Sequence, residues 1–84
     1  MMDLKYSNHA EEELKRRKIS KKIIEGIMSN PEQILEMEED IIIYQSIIEF
    51  DNKKKYLVSV IASNMNPKTI ITVYKTSKIK KYWR

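Results

Sequence analysis

The sequence predicts an α+β domain in which two N-terminal helices pack on one face of a four-stranded antiparallel β-sheet. Apolar residues recur at helical spacing over residues 8–29, and the spacing changes to two after Pro31. β-Branched residues dominate the second part, which is divided by turn-forming stretches at 38–40, 51–53 and 64–68. Helices and strands that occupy separate parts of a chain are typical of the α+β class. The 84 residues suffice for one domain.

The first predicted helix covers residues 8–17. Ser7 or Asn8 can cap it, because their side-chain oxygens accept hydrogen bonds from the free amides of a first turn. Glutamates at 11–13 and cations at 15–17 match the positive and negative ends of the helix dipole. The order of the charges along the chain therefore supports both the predicted start and the predicted end of this helix.

A second helix is predicted to begin after Ser20 and to end at Asn30-Pro31, since the residue before a proline avoids helical dihedral angles. Its apolar stripe includes Ile23 and Ile27. Residues 4–6 are a possible short lead-in strand and are not counted among the four strands.

Four strands are predicted from the period-two pattern, at residues 33–37, 41–50, 54–62 and 69–76. The candidate core positions on the helices and strands are Ile23, Ile27, Ile42, Val58, Val60, Ile71 and Val73. A register error of one residue would exchange the buried and exposed sets of a strand.

Composition narrows the classes of function. The net charge of +4 and the pI near 9.3 favour an anionic partner. Because the sequence has no cysteine, disulfides and thiolate metal sites are excluded. A single histidine does not provide the ligand spacing of a zinc site, and no cofactor is expected. We expect a cytoplasmic protein with no membrane partner, since the sequence shows neither a membrane-length apolar run nor a signal peptide.

Residues 72–84, the basic aromatic segment, carry five Lys or Arg residues and three aromatic residues. Cations attract phosphates, and aromatic rings stack on unpaired bases, so this composition indicates contact with single-stranded nucleic acid. The alternative is a solvated segment with Trp83 packed on the core.

The only histidine, His9, falls at the start of the first helix, which carries Arg16 and Arg17 at its end. An imidazole is a natural proton donor or acceptor near neutral pH, and guanidinium groups hold phosphates. The alternative is that His9 is a surface or capping residue and that Arg17 only stabilises the end of the helix.

The stretch 6–20 resembles the opening of a small family related to the BrnT and RelE toxins of bacterial and archaeal toxin–antitoxin pairs. That family shows the pattern S-x-H-A-x-x-R-[ML]-x-x-R-x-I, and the matching positions here are Ser7, His9, Ala10, Leu14, Arg17 and Ile19. Residues 30–32 (N-P-E) and the closing T-V-Y and K-K-Y-W also fit. The family's first arginine falls at Glu13, a carboxylate that cannot hold a phosphate. Arg16, seven residues after His9 and on the same helix face, is a possible substitute.

The resemblance implies a RelE-like toxin domain that cleaves messenger or ribosome-bound RNA without a metal and is neutralised by a cognate antitoxin encoded beside it. It implies catalytic roles for His9, Arg17, Tyr74 and Tyr82. The expected substrate-binding residues are Arg16, Thr76, Lys78, Lys80, Lys81, Trp83 and Arg84. The competing hypothesis is that the protein is a decayed toxin, a non-catalytic module that binds RNA or a protein. Glu13 favours this hypothesis.

Overall fold

The computed structural model of the protein describes residues 4–65 and 68–84. Its elements follow in the order β1 (Lys5–Tyr6), α1 (Asn8–Arg17), α2 (Lys21–Ser29), β2 (Gln33–Glu38), β3 (Ile41–Glu49), β4 (Lys55–Ser63), β5 (Thr69–Thr76) and α3 (Ile79–Tyr82). Part of the predicted 64–68 connection, Asn66 and Pro67, lies outside the described residues. Among the helices of the described ranges, none has the length and apolar character needed to span a membrane.

The sheet has five strands in the order β1-β5-β4-β3-β2, and β1 runs parallel to β5 while the other neighbours are antiparallel. The expectation of a four-stranded antiparallel sheet is therefore wrong. The extra strand has two residues, which is too short to show a period-two pattern. Its pairing joins Lys5 to Thr69 and Tyr6 to Ile70, positions that are far apart in the sequence.

The predicted bounds of the first helix are confirmed, and its caps explain them. The Ser7 hydroxyl accepts a hydrogen bond from the Ala10 amide at 3.0 Å and donates one to the Ile71 carbonyl at 2.8 Å, so the same residue begins α1 and ties it to β5. Lys18, directly after the last helical residue, adopts a left-handed conformation (φ 55°) and donates its amide to carbonyls of the last turn. Ser20 caps α2 in the predicted way, with 3.3 Å between its hydroxyl and the Ile23 amide.

The main core lies between the two long helices and one face of the sheet. Of the predicted core positions, Ile27, Val58, Val60 and Val73 are buried, and Ile23 and Ile42 are half-buried at its margin. The prediction for Ile71 is wrong, because Ile70 is the fully buried neighbour. An irregularity in the pairing of β4 with β5, between Ile61 and Ala62, shifts the register there and exchanges the two residues.

The opposite face of the sheet, the back face, is partly covered by residues 77–84, the tail segment. Within it, α3 packs against β4. Leu57 on β4 is fully buried although it is not part of the cluster beneath α1 and α2. The Arg84 amide donates to Gln33 Oε1 at 3.2 Å, and Gln33 Nε2 donates to the main-chain oxygen of Arg84. The tail segment therefore crosses the sheet from β5 to β2.

Candidate functional site

Arg17, in the last turn of α1, lies over the ring of Tyr74 on β5. The distance from Arg17 Cζ to the ring centroid is 5.3 Å, and Arg17 Nη1 donates to the Lys75 carbonyl at 3.3 Å. These contacts arise because α1 runs alongside β5, from the bond between Ser7 and Ile71 at its start to Arg17 at its end. The fold therefore fixes a cation against a tyrosine that is 55% exposed.

Glu13 joins both arginines of α1. Its Oε1 and Oε2 accept hydrogen bonds from Arg16 Nη2 and Nε at 2.6 and 3.0 Å, and Oε1 also accepts one from Arg17 Nε at 2.9 Å. The hydrogen bonds from Arg16 first, and from Arg17 second, lower the pKa of Glu13 to about 2. Glu13 is thus an ionised counterion at neutral pH and offsets part of the arginine charge.

His9 is exposed one helical turn before Glu13. Its imidazole makes no hydrogen bond, ion pair or ring contact with the chain over residues 4–65 and 68–84. The spacing from His9 to Glu13 corresponds to about 6 Å along the helix axis. Because both guanidinium groups bond to the Glu13 carboxylate, His9 and the arginines occupy adjacent positions on one side of α1, without direct contact between them.

An open groove of about 450 Å³ lies on the back face of the sheet. Its floor includes Leu35, Ile43 and Ile61, which the strand register places side by side on β2, β3 and β4. Tyr74 and Tyr82 also line it, from β5 and from α3. The groove therefore adjoins the Arg17–Tyr74 pair.

A row of polar side chains crosses the groove, and the sequence did not single it out. Gln45 Nε2 donates to Gln33 Oε1 at 2.8 Å, and the Ser59 hydroxyl donates to Gln45 Oε1 at 2.9 Å. Ser59 is in turn the register partner of Tyr74. Alternation along each strand could assign these residues to the back face. Only the pairing of the strands shows that they form one row.

The other predicted site residues divide between the groove and the tail segment. Thr76 and Arg84 line the groove. Lys78, Lys80 and Lys81 are exposed, and Lys81 Nζ lies 5.5 Å from the Tyr82 ring centroid. The structure thus joins Arg16 to Arg17 through Glu13, places Arg17 against Tyr74, and gathers Tyr74, Thr76, Tyr82 and Arg84 around the groove. In the described ranges His9 makes no direct contact with either tyrosine, and the Trp83 side chain makes no hydrogen bond or ring contact.

Within the described ranges, no group of three or more His, Asp or Glu side chains is placed to hold a metal ion. A second, shallower pocket of about 240 Å³ lies beside Leu14 and Ile19, where Lys21 and Glu11 form an ion pair at 2.9 Å. Glu11 and Lys21 are paired with each other, so Lys15 is the one described lining charge outside an ion pair, and one lysine does not form a convergent site.

A protein-family model described as "Domain of unknown function (DUF4258)" matches residues 6–75. The match runs from β1 through most of β5 and includes Arg17, Glu13 and Tyr74. No curated protein and no solved structure matched the chain.

Proposed function

We propose that this chain, which belongs to the DUF4258 family, binds single-stranded RNA around Arg17 and Tyr74 and cleaves it there without a metal ion. In this proposal it is the cytoplasmic toxin of a toxin–antitoxin pair, as its resemblance to toxins related to BrnT and RelE implies. The observation that carries the proposal is the Arg17–Tyr74 pair, in which a fixed guanidinium lies beside an exposed aromatic ring.

The surroundings of this pair favour a polyanion. Residues 68–84 contain no Asp or Glu, and the lysines of the tail segment are exposed. Cations of this kind bind phosphates without regard to sequence, and exposed rings provide stacking surfaces for unpaired bases. RNA binding is thus supported by charge and by aromatic exposure together.

The proposed cleavage is an internal transfer at phosphorus. The ribose 2′-oxygen forms a bond to the adjacent phosphorus, and the bond from phosphorus to the 5′-oxygen breaks. One group removes the proton of the 2′-hydroxyl, and a second group gives a proton to the departing 5′-oxygen. In our assignment His9 and a tyrosine, Tyr74 or Tyr82, perform these two steps, while Arg17 stabilises the extra negative charge on the phosphate.

The second candidate is the non-catalytic RNA- or protein-binding module, and one observation favours it. Glu13 occupies Nε of Arg17 and two nitrogens of Arg16, so the arginines have fewer free donors for a phosphate. In this second candidate the basic aromatic surface would still bind RNA, weakly at this position, but the protein would not cleave it.

The two candidates are separated by cleavage assays on single-stranded RNA with a chelator present, with ribosomes and without them. Replacing His9 by Ala should reduce cleavage by roughly 10²–10⁴-fold if His9 is the acid or base. Replacing Lys80 and Lys81 by Ala should weaken binding, and it should reduce the slope of log affinity against log salt by about 1.4, at about 0.7 for each lost phosphate contact. Tyr56→Phe is the control, since Tyr56 packs against Phe50 and does not line the groove.

Cleavage by the wild type that His9→Ala loses would support the toxin. If the wild type binds RNA without cleaving it, the non-catalytic binding module remains as the function. Failure of the wild type to bind RNA would contradict the toxin and the RNA-binding module, and it would leave the protein-binding module. If the toxin proposal holds, the antitoxin should be a protein encoded beside it, and its coexpression should restore growth.

A further inference from the structure

The groove on the back face has the volume of a site for a small ligand. Its volume of about 450 Å³ lies in the range of small-molecule sites. Leu35, Ile43 and Ile61 follow one another across three adjacent strands and give it an apolar floor. Such a floor binds a group through dispersion and desolvation.

The walls of the groove are aromatic. Arg17 covers one face of the Tyr74 ring, yet Tyr74 is 55% exposed and also lines the groove. The other face of that ring is therefore open to a second planar group. Tyr82, which is 46% exposed, adds a second ring from the tail segment.

The charge of the groove selects the kind of ligand. Its described lining includes Arg84 and no Asp or Glu side chain. Lys75 also adjoins the groove, but its ammonium lies on the helix-facing side of the sheet, 3.9 Å from the Phe50 ring centroid. On β2, Leu35 lines the groove, and strand alternation directs the adjacent Glu36 to the other face of the sheet. An apolar floor, aromatic walls and a cationic rim together fit a flat group attached to an anionic backbone.

We infer that this groove is a binding site for an unpaired base of single-stranded RNA, an inference that rests on the proposed RNA binding and adds the position of a base. The base stacks on the groove side of Tyr74, opposite the Arg17 guanidinium, and the flanking phosphates face Arg17 and the cations of the tail segment. Gln45 and Ser59 are bonded within the polar row. Recognition therefore depends on stacking and tolerates different bases.

The test compares two 5′-labelled RNA hexamers by fluorescence anisotropy: hexauridylate and a ribose–phosphate hexamer that lacks all bases. The wild type should bind hexauridylate roughly 5- to 150-fold more tightly for each base that is stacked. Tyr82→Ala removes an exposed groove wall and should lower the affinity for hexauridylate while leaving the affinity for the base-free hexamer unchanged. Ile61→Glu places a carboxylate in the floor and should have the same selective effect. Ile34→Ala is the matched control, because Ile34 is 57% exposed on β2 and does not line the groove.

Selective loss of hexauridylate binding in both groove variants, with Ile34→Ala like the wild type, would support the base site. Circular dichroism of each variant shows that the fold is retained, and Tyr82→Ala alone decides if Ile61→Glu does not fold. Equal affinity of the wild type for both hexamers would overturn the inference of a base site. RNA binding would still stand, and the groove would then be assigned to a protein partner. If the wild type binds neither hexamer, RNA binding itself fails and the base site fails with it.

Discussion

Glu13 accepts a hydrogen bond from Arg17 Nε at 2.9 Å while Arg17 Nη1 donates to the Lys75 carbonyl, so two of the three nitrogens of this guanidinium are occupied within the protein. A bidentate grip on a phosphate uses two neighbouring nitrogens of one guanidinium. Of the five N–H donors of Arg17, one on Nη1 and two on Nη2 therefore remain for an anion, while Glu13 occupies the Nε donor.

The first prediction is that Glu13→Gln strengthens RNA binding. The substitution removes the negative charge between Arg16 and Arg17 and releases guanidinium donors for phosphates. The slope of log affinity against log salt should become steeper by about 0.7 for each added phosphate contact. Glu12→Gln is the control, because it removes the same charge from an exposed neighbouring position. Identical slopes for the two variants would show that the Glu13 carboxylate does not compete with RNA.

The second prediction concerns pH. The pKa of Glu13 is lowered from 4.5 to about 2 by its bonds to Arg16 and Arg17. The stability that this carboxylate contributes is therefore fully present above about pH 4.5 and is lost as the pH falls through about 2. Carbon NMR of the Glu13 carboxyl should show a midpoint near pH 2. The stability difference between the wild type and Glu13→Gln should shrink over the same interval, and a midpoint above pH 4 would contradict the bonds described here.

The third prediction tests the packing of the tail segment on the back face. Leu57→Ala should lower the free energy of unfolding by about 2–4 kcal/mol, because it empties a fully buried site. Leu35→Ala is the control, since Leu35 is half-buried at the floor of the open groove. Urea unfolding measures both variants. Equal losses would mean that the tail segment does not shield Leu57 in solution.

The fourth prediction concerns Tyr6, whose hydroxyl is buried without a hydrogen-bond partner in the described part of the chain. Tyr6→Phe removes this group and keeps the ring that lies 4.6 Å from Lys21 Nζ. The thermal midpoint should stay or rise, with a gain of up to about 1 kcal/mol. By contrast, Tyr44→Phe should lose about 1 kcal/mol, since the Tyr44 hydroxyl accepts a bond from Lys68 Nζ at 2.9 Å. The opposite order of the two variants would refute the prediction.

Local chemistry explains which parts of the fold were predictable. The caps at Ser7 and Ser20 and the proline at 31 act within a few residues, so the bounds of α1 and the start of α2 could be read from the sequence. The parallel pairing of β1 with β5 and the register irregularity beside Ile61 depend on contacts between distant segments. No local pattern records those contacts, and the errors in strand number and at Ile71 follow from this.

The candidate site shows the same division. The distribution of charges along the helix predicted that Arg16 and Arg17 lie at the end of α1. The period-two pattern predicted that Tyr74 and Thr76 share one face of the sheet. The role of Glu13 as a shared counterion follows from i, i+3 and i, i+4 spacing and was available from the sequence. The groove was not, because it forms only when four strands and the tail segment come together.

The pairing of β1 with β5 also sets the order in which the molecule can be completed during synthesis. Strands β2 to β4 meet through short turns and can associate as soon as they leave the ribosome. The main partner of α1 is β5, so its apolar face with Ala10 and Leu14 must wait for residues 69–76 to emerge. A nascent chain halted before Thr69 therefore has neither a docked first helix nor the Arg17–Tyr74 pair. If this pair binds RNA as proposed, the nascent polypeptide cannot bind RNA through it until residues 69–76 have emerged.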